Sequence, residues 1–528
     1  MSHFSSVFSR VPIDMPNRSG FDMSHENLGT MQCGTLVPVL VDELLPNDTI
    51  SLGSSFQVQL PPMVADFYGR VDFVLEAFFV PARLLWGGWQ SFMTHPTANP
   101  QYPVGTPVQG KSRYLPQVAG HTSPAGSLSD YLGNKCLRDN TSADYQTTCA
   151  LPYLAYHRIW DDWYRDSRIQ APVFYKPDNN VVGAQLMGVP SFAPFVSGGV
   201  DSPTIYNSAS AFSDGHKLLD LRQRNFAKDY YTTASTLPQA GNASQIEFTT
   251  DSNHSGQISI AAIRSANSLQ KWMERNNIAG YRYSDQIYAQ YGIYPSDAIM
   301  DRCIYLGRHT QNIYNRSVFQ TSVNSTDSGL FNSVGRKAGS AQAIGEGSLI
   351  DQIRVTEHGY LMVLASIVPH AYYATGVRRY LKRKVVGDIA FPLLSGMGDQ
   401  AIMKSELSGR FFGANADEEF GYTDLYAEYK YHDDEIHGLL RDGESLEQFA
   451  LQRSFDRDVE LSSRFLQIPQ DYLDQIFATA SSASGFCAWY DIYFPYKKIS
   501  TLPEYSLPTL ADMKHVHTEY ISRGGKRL

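Results

Sequence analysis

The chain has 528 residues, of which 18% are charged and 12% aromatic, with 33 Tyr and a formal net charge of −9. Such a length allows about three or four domains, but no Pro/Ser/Gly linker, charge block or internal repeat divides it, so a single elaborated domain over 1–528 is predicted. No apolar run approaches the roughly eighteen residues of a membrane helix, and the start, MSHFSSVFSRVPIDMPNRSG, lacks a signal-peptide core, so a soluble, cytoplasmically made chain without membrane insertion is expected. Residues 1–33 read as an N-terminal arm, followed by strands near 35–41 and 55–60. In GRVDFVLEAFFVPARLLWGGWQSF, residues 69–92, Val71, Phe73, Leu75, Ala77 and Phe79 alternate with their neighbours, the period of a long, largely buried strand. Pro81 lacks the N–H that a ladder needs and ends it.

Stretches rich in Gly, Ser, Asn and Pro mark 97–150, 177–257 and 321–349 as long inserted loops. Two helices interrupt them: Tyr156, Ile159, Trp160, Trp163 and Tyr164 share one face, and Ala262, Ala266, Leu269 and Met273 share another that ends before Gly280. Further strands are expected near 354–368, 420–431 and 485–495, and the chain finishes in a basic tail, 520–528. Cys33, Cys136, Cys149, Cys303 and Cys487 are odd in number and form no CxxC, which argues for free thiols rather than a disulfide framework or a zinc site. Low charge and abundant Tyr suit a surface destined for burial against other subunits, although an enzyme can share this composition.

Candidate chemistry is sparse. Trp160-Asp161-Asp162-Trp163 offers a sugar platform beside two carboxylates, but the tryptophans lie on the apolar stripe and Asp161 can pair with Arg165 on the wet face. GMGDQA at 396–401 fits a dinucleotide fingerprint without a βα context, and Pro392 interrupts the preceding run, so a turn opening a short helix is expected. His515 and His517 lack a third ligand; no metal or cofactor is predicted. The clearest binding feature is electrostatic. Arg378, Arg379, Lys382, Arg383 and Lys384 place five positive charges in seven residues beside Tyr372, Tyr373 and Tyr380, and Arg523, Lys526 and Arg527 form a second cluster. Basic charge with interleaved rings suits single-stranded nucleic acid; a solvated face and a frayed tail are the alternative.

GTLVPVLVDELLPND (34–48) and the 69–92 segment are followed in order by SLSDYLG, LPYLAYHRIWDDWYRD, DYYTTASTLPQAG, a 264–283 helix ending in RY, YLGRHTQNI, VFQTS, EHGY and EFGYTDLYAEYKY. In that order the chain resembles the major capsid proteins of microviruses, small single-stranded DNA phages, and most closely the gokushovirus branch. The resemblance implies a mainly β fold, a viral eight-stranded jelly-roll sandwich of two four-stranded sheets with long inserted loops and several helices outside it. It implies a non-enzymatic coat subunit, assembled in the bacterial cytoplasm into a T=1 icosahedral virion shell around a circular single-stranded DNA genome. Implied partners are other copies of the chain, an internal scaffolding protein, a minor pilot protein, a small basic DNA-binding protein and a host-cell surface receptor. Where gokushovirus coats carry a large variable insertion, this chain has only 242–257, a polar stretch expected to be an exposed loop, which puts the threefold protrusion in question. The alternative from another class is a phage carbohydrate-binding or carbohydrate-active β-sandwich protein.

Overall fold

The structure is a computed structural model that describes residues 18–86 (without 65), 89, 93, 115–118, 123–134, 148–173, 205–206, 216–238, 260–319 and 418–478 with short gaps, 337–408 (without 396–397), and 485–504. In chain order its main strands are β1 (Ser19–Asp22), β2 (His25–Met31), β3 (Val37–Leu44), β4 (Thr49–Gln59), β5 (Val71–Pro81), β6 (Ile304–Asn312), β7 (Tyr314–Phe319), β8 (Lys337–Arg354), β9 (Gly359–Pro369), β10 (Asp399–Met403), β11 (Glu419–Asp424), β12 (Ala488–Phe494) and β13 (Tyr496–Ser500). They form a mainly β architecture of two large antiparallel sheets. In the first, β1 and β2 pair with β13 and β12, these pair with β4, and β8 and β7 follow; the second has the order β3-β9-β5-β6. Pro495 separates β12 from β13, where a missing N–H divides one long strand into two.

The sheets pack face to face. Phe56 of β4 meets Phe73 of β5 with ring centroids 4.8 Å apart, inside one apolar cluster that draws on both sheets. At one edge the chain passes from β6 in the second sheet to β7 in the first through buried Ile313, whose N–H donates to the Val71 carbonyl at 2.8 Å. Here Gly307 lets β6 and β8 meet: a Cβ on it would lie 1.9 Å from the Leu349 carbonyl oxygen.

Burial distinguishes the sheets. β12 alternates buried and exposed residues, as a strand with one solvated face must, whereas β5 and β9 are buried at every position. The outer face of the second sheet is covered by α1 (Leu151–Ile159), with Trp86, Leu128 and Tyr153 in the same cluster. Trp160–Tyr164 continues α1 as a π turn. Fully buried Arg222 ties 216–226 to this layer: its Nε donates to His157 Nδ1 at 2.9 Å, and His157 Nε2 donates to the Leu218 carbonyl at 2.9 Å. Burial, then the Arg222 charge, keeps His157 well below the usual imidazole range and therefore neutral.

Several elements differ from expectation. Of the 1–33 arm, 19–22 and 25–31 are paired strands of the first sheet, and 1–17 lies outside the described residues. The 321–349 insertion contains most of β8: Ala341 and Ala343 are buried, and Gly345 lies under the Phe56 ring, where a Cβ would stand 2.6 Å from it. Its small residues make room for a bulky neighbour rather than a turn. The strand near 354–368 is two strands broken after Arg354, and that near 420–431 ends at Asp424. β6 and β7 had no sequence expectation. Residues 399–403, expected to enter a helix, are instead β10, paired with β11, and a single helical turn follows at Lys404–Leu407. The second expected helix is α2 (Ile260–Ala279), followed by α3 (Tyr283–Tyr291); Leu269 of its expected apolar face is half exposed. Cys33, Cys149, Cys303 and Cys487 are free thiols; Cys136 and 242–257 lie outside the described residues.

Candidate nucleic-acid interface

The basic cluster sits on a 3₁₀ turn, Arg379–Lys382, and most of its charge faces inward to carboxylates. Arg378 is ion-paired with Glu435. Arg379 reaches Glu406 at 3.3 Å and donates to the Ala401 carbonyl at 2.6 Å. Lys382 donates to the Ser405 hydroxyl, while Arg383 lies 3.3 Å from Glu428 and 4.6 Å above the Tyr429 ring. Burial works against ionised Glu435, but the hydrogen bond and charge of Arg378 hold it below the usual range; at Glu406 burial wins and raises the carboxyl despite Arg379. Lys384 is exposed and its ammonium has no partner among the described residues, although its backbone N–H donates to Asp388 at 2.7 Å. Of the interleaved rings Tyr380 is exposed, Tyr373 is buried, and Tyr372 packs against the core. Arg523, Lys526 and Arg527 lie outside the described residues.

A second basic surface has no counterpart in the sequence reading. A cleft of about 580 Å³ has six Arg and Lys on its walls (Arg70, Arg165, Arg168, Arg224, Lys228 and Arg308) against three acids, Asp72, Asp166 and Asp285. Behind them the buried Glu76 carboxylate takes Arg224 at 2.7 Å, the Tyr164 hydroxyl at 2.5 Å and Arg308 at 3.7 Å. Arg70 is paired with Asp72 at 3.0 Å and Arg168 with Asp166 at 3.3 Å, whereas Lys228 is exposed. Because Glu76 also meets Arg224 and Arg308 and Asp161 meets Arg165, most of this charge is neutralised, and exposed Lys228 is the member that suits an anionic guest, with Trp163, Tyr164 and Phe226 as the cleft's apolar wall. Its cations come from four separated stretches of chain, so no local run betrays them.

The enzyme candidates dissolve. Asp161 is indeed 2.6 Å from Arg165, but the pair is buried rather than wet, and Asp161 also accepts the Val173 N–H at 3.0 Å. Asp162 is held by Arg158 at 3.0 Å and by the Cys303 N–H at 3.0 Å. Trp160 is 2% exposed and donates its indole N–H to the Gln223 carbonyl, so it offers no platform for a sugar. The 396–401 motif leads into the β10–β11 hairpin rather than a nucleotide-binding helix. His515 and His517 lie outside the described residues.

A family model described as capsid protein (F protein) matches residues 9–510. Capsid protein VP1 of Chlamydia phage 1 is 27% identical over an alignment covering 95% of this chain and 97% of that one. Capsid protein VP1 of Bdellovibrio phage phiMH2K is 24% identical with 96% and 98% covered, and that of Spiroplasma virus 4 is 22% identical with 93% and 95% covered.

Proposed function

The chain belongs to the phage capsid protein (F protein) family, structural components of the virion rather than enzymes, and from that premise we propose that its copies close into a T=1 icosahedral shell around a circular single-stranded DNA genome. The observation that carries this reading is the match of residues 9–510 to a capsid protein family. We further read the sandwich as a jelly roll. Its interleaved orders, β2-β12-β4-β8 and β3-β9-β5-β6, support that topology, since among these eight strands every step in chain order except β5 to β6 crosses between the sheets.

For genome contact, the whole set Arg378, Arg379, Lys382, Arg383, Lys384, Arg523, Lys526 and Arg527 stays a proposal, and the geometry orders it. Lys384 and the tail residues are the members we assign to phosphates, because Arg378, Arg379 and Arg383 already meet carboxylates. On the same reasoning exposed Lys228, at the cleft, is a further candidate for a phosphate, whereas Arg168 already meets Asp166. The scaffolding, pilot and small basic DNA-binding proteins, the receptor, and assembly in the host cytoplasm are proposed from the gokushovirus resemblance.

Expression with the phage's other assembly genes, sedimentation and negative-stain microscopy test the proposal. Closed isometric particles with nuclease-protected circular DNA are expected. Monomers alone, or shells of another symmetry, would overturn it.

A further inference from the structure

Residues 379–394 form a ledge whose construction inverts that of an ordinary surface loop. Its arginines, Arg379 and Arg383, turn inward to Glu406 and Glu428, and the Asp388 carboxylate caps the Lys384 and Val385 N–H groups at 2.7 and 3.0 Å. Those backbone hydrogen bonds hold Asp388 below the usual carboxylate range. The apolar side chains point out. Leu393 is 94% exposed and Val386 71%, with Tyr380, Leu381, Val385 and Ile389 each at least half exposed. At roughly 100 Å² of apolar surface for a fully exposed aliphatic side chain, these six present on the order of 400 Å², the size of the largest apolar patch on a typical monomer, about 300–600 Å² and often functional. It is about half of what one partner contributes to a standard interface, about 800 Å². Because ion pairs already fix the backbone, little ordering remains to be done when a partner arrives.

We propose that the six apolar side chains of this ledge are a contact between subunits, covered in the shell by a second copy of the chain that leaves the Lys384 ammonium open. The area sets the kind of partner: a small ligand would cover a fraction of it, whereas a neighbouring subunit spans all six side chains. The inference rests on the capsid reading and deepens it by naming the surface.

The test uses L381D/V386D/L393D and, separately, a photo-crosslinking residue at position 393. Leu393 touches solvent almost everywhere, and Leu381 and Val386 are about two-thirds or more exposed, so the fold should tolerate both changes; circular dichroism checks this, and L393D alone replaces the triple variant should it misfold. Parental particles, with folded soluble monomers and at least a tenfold loss of particles for the triple variant, are expected, together with crosslinks between two copies of this chain. Particles at parental yield, or crosslinks confined within one subunit or made to a different protein, would overturn the proposal. If the parent forms no particles the capsid reading fails on its own, and crosslinking of concentrated subunits still decides the ledge.

Discussion

Replacing Arg224 by Met isolates the energetics of the Glu76 hub. Glu76 projects from β5 toward the helical layer with its side chain 10% exposed, and Arg224 lies 2.7 Å away in the ordered 216–238 segment. Removing one member of a buried pair leaves an uncompensated charge and costs about 3–5 kcal/mol. Tyr164 at 2.5 Å still donates to Glu76, and Arg308 at 3.7 Å is too exposed to compensate fully, so the lower end, about 3 kcal/mol, is expected for R224M. In E76Q/R224M no buried charge is stranded, and the amide still accepts from Tyr164; at least about half of the loss should return, a coupling within the roughly 0.5–3 kcal/mol that contacting residues show. Denaturant unfolding of the four subunits in the cycle, read by near-UV circular dichroism, measures it. A cost under about 1 kcal/mol for R224M, or a double variant as unstable as the sum of the singles, would refute the argument that Arg224 is there to neutralise Glu76.

Four further outcomes are expected. Gly307→Ala forces a methyl against the Leu349 carbonyl and should cost about 3 kcal/mol, at the upper end of overpacking, with sedimentation showing few particles. Burial, then the Asp229 charge, raise Asp433 to about 6, so the folded state holds this proton more tightly than the unfolded chain and the contribution to stability falls as pH rises from about 4 through 6; D433N should therefore raise the melting temperature relative to the parent at pH 7.5 and lose that advantage at pH 4.5. K384Q should leave the subunit fold intact and lower the slope of log affinity for a single-stranded oligonucleotide against log salt by about 0.7, while an unchanged slope would remove Lys384 from the interface. R379Q, by contrast, uncovers buried Glu406 and should lower subunit stability at neutral pH by more than K384Q does, measured in the same unfolding assay.

The parts of this fold that were legible in sequence are those whose residues carry their own signal. β5 announced itself by period two and a terminal proline, and the layer around Trp160 by its helical stripe. β8 was hidden because Gly, Ser and Ala read as a loop, while the reason for them, Phe56, is nearly three hundred residues away in the sequence. The 378–384 cluster was visible as charge, but its neutralisation was not: Glu406, Glu428 and Glu435 come later in the chain, and only the fold brings them beneath the turn. The cleft cations were illegible for the same reason.

The place of β12 and β13 in the first sheet sets a clock for biosynthesis. They lie between β1–β2 and β4, and Trp489 donates its indole N–H to Gln59, 430 residues earlier. While the ribosome is still making the intervening chain, β2 has no neighbour and β4 shows an unpaired edge. At a bacterial rate of about 5–20 residues per second, that interval lasts on the order of half a minute. Nascent chains must survive it with strand edges open to one another on the same polysome, a setting that favours misassociation. Completion of the sheet therefore waits for the end of the chain: a product that stops before β12 lacks the strand that pairs β2 and joins it to β4.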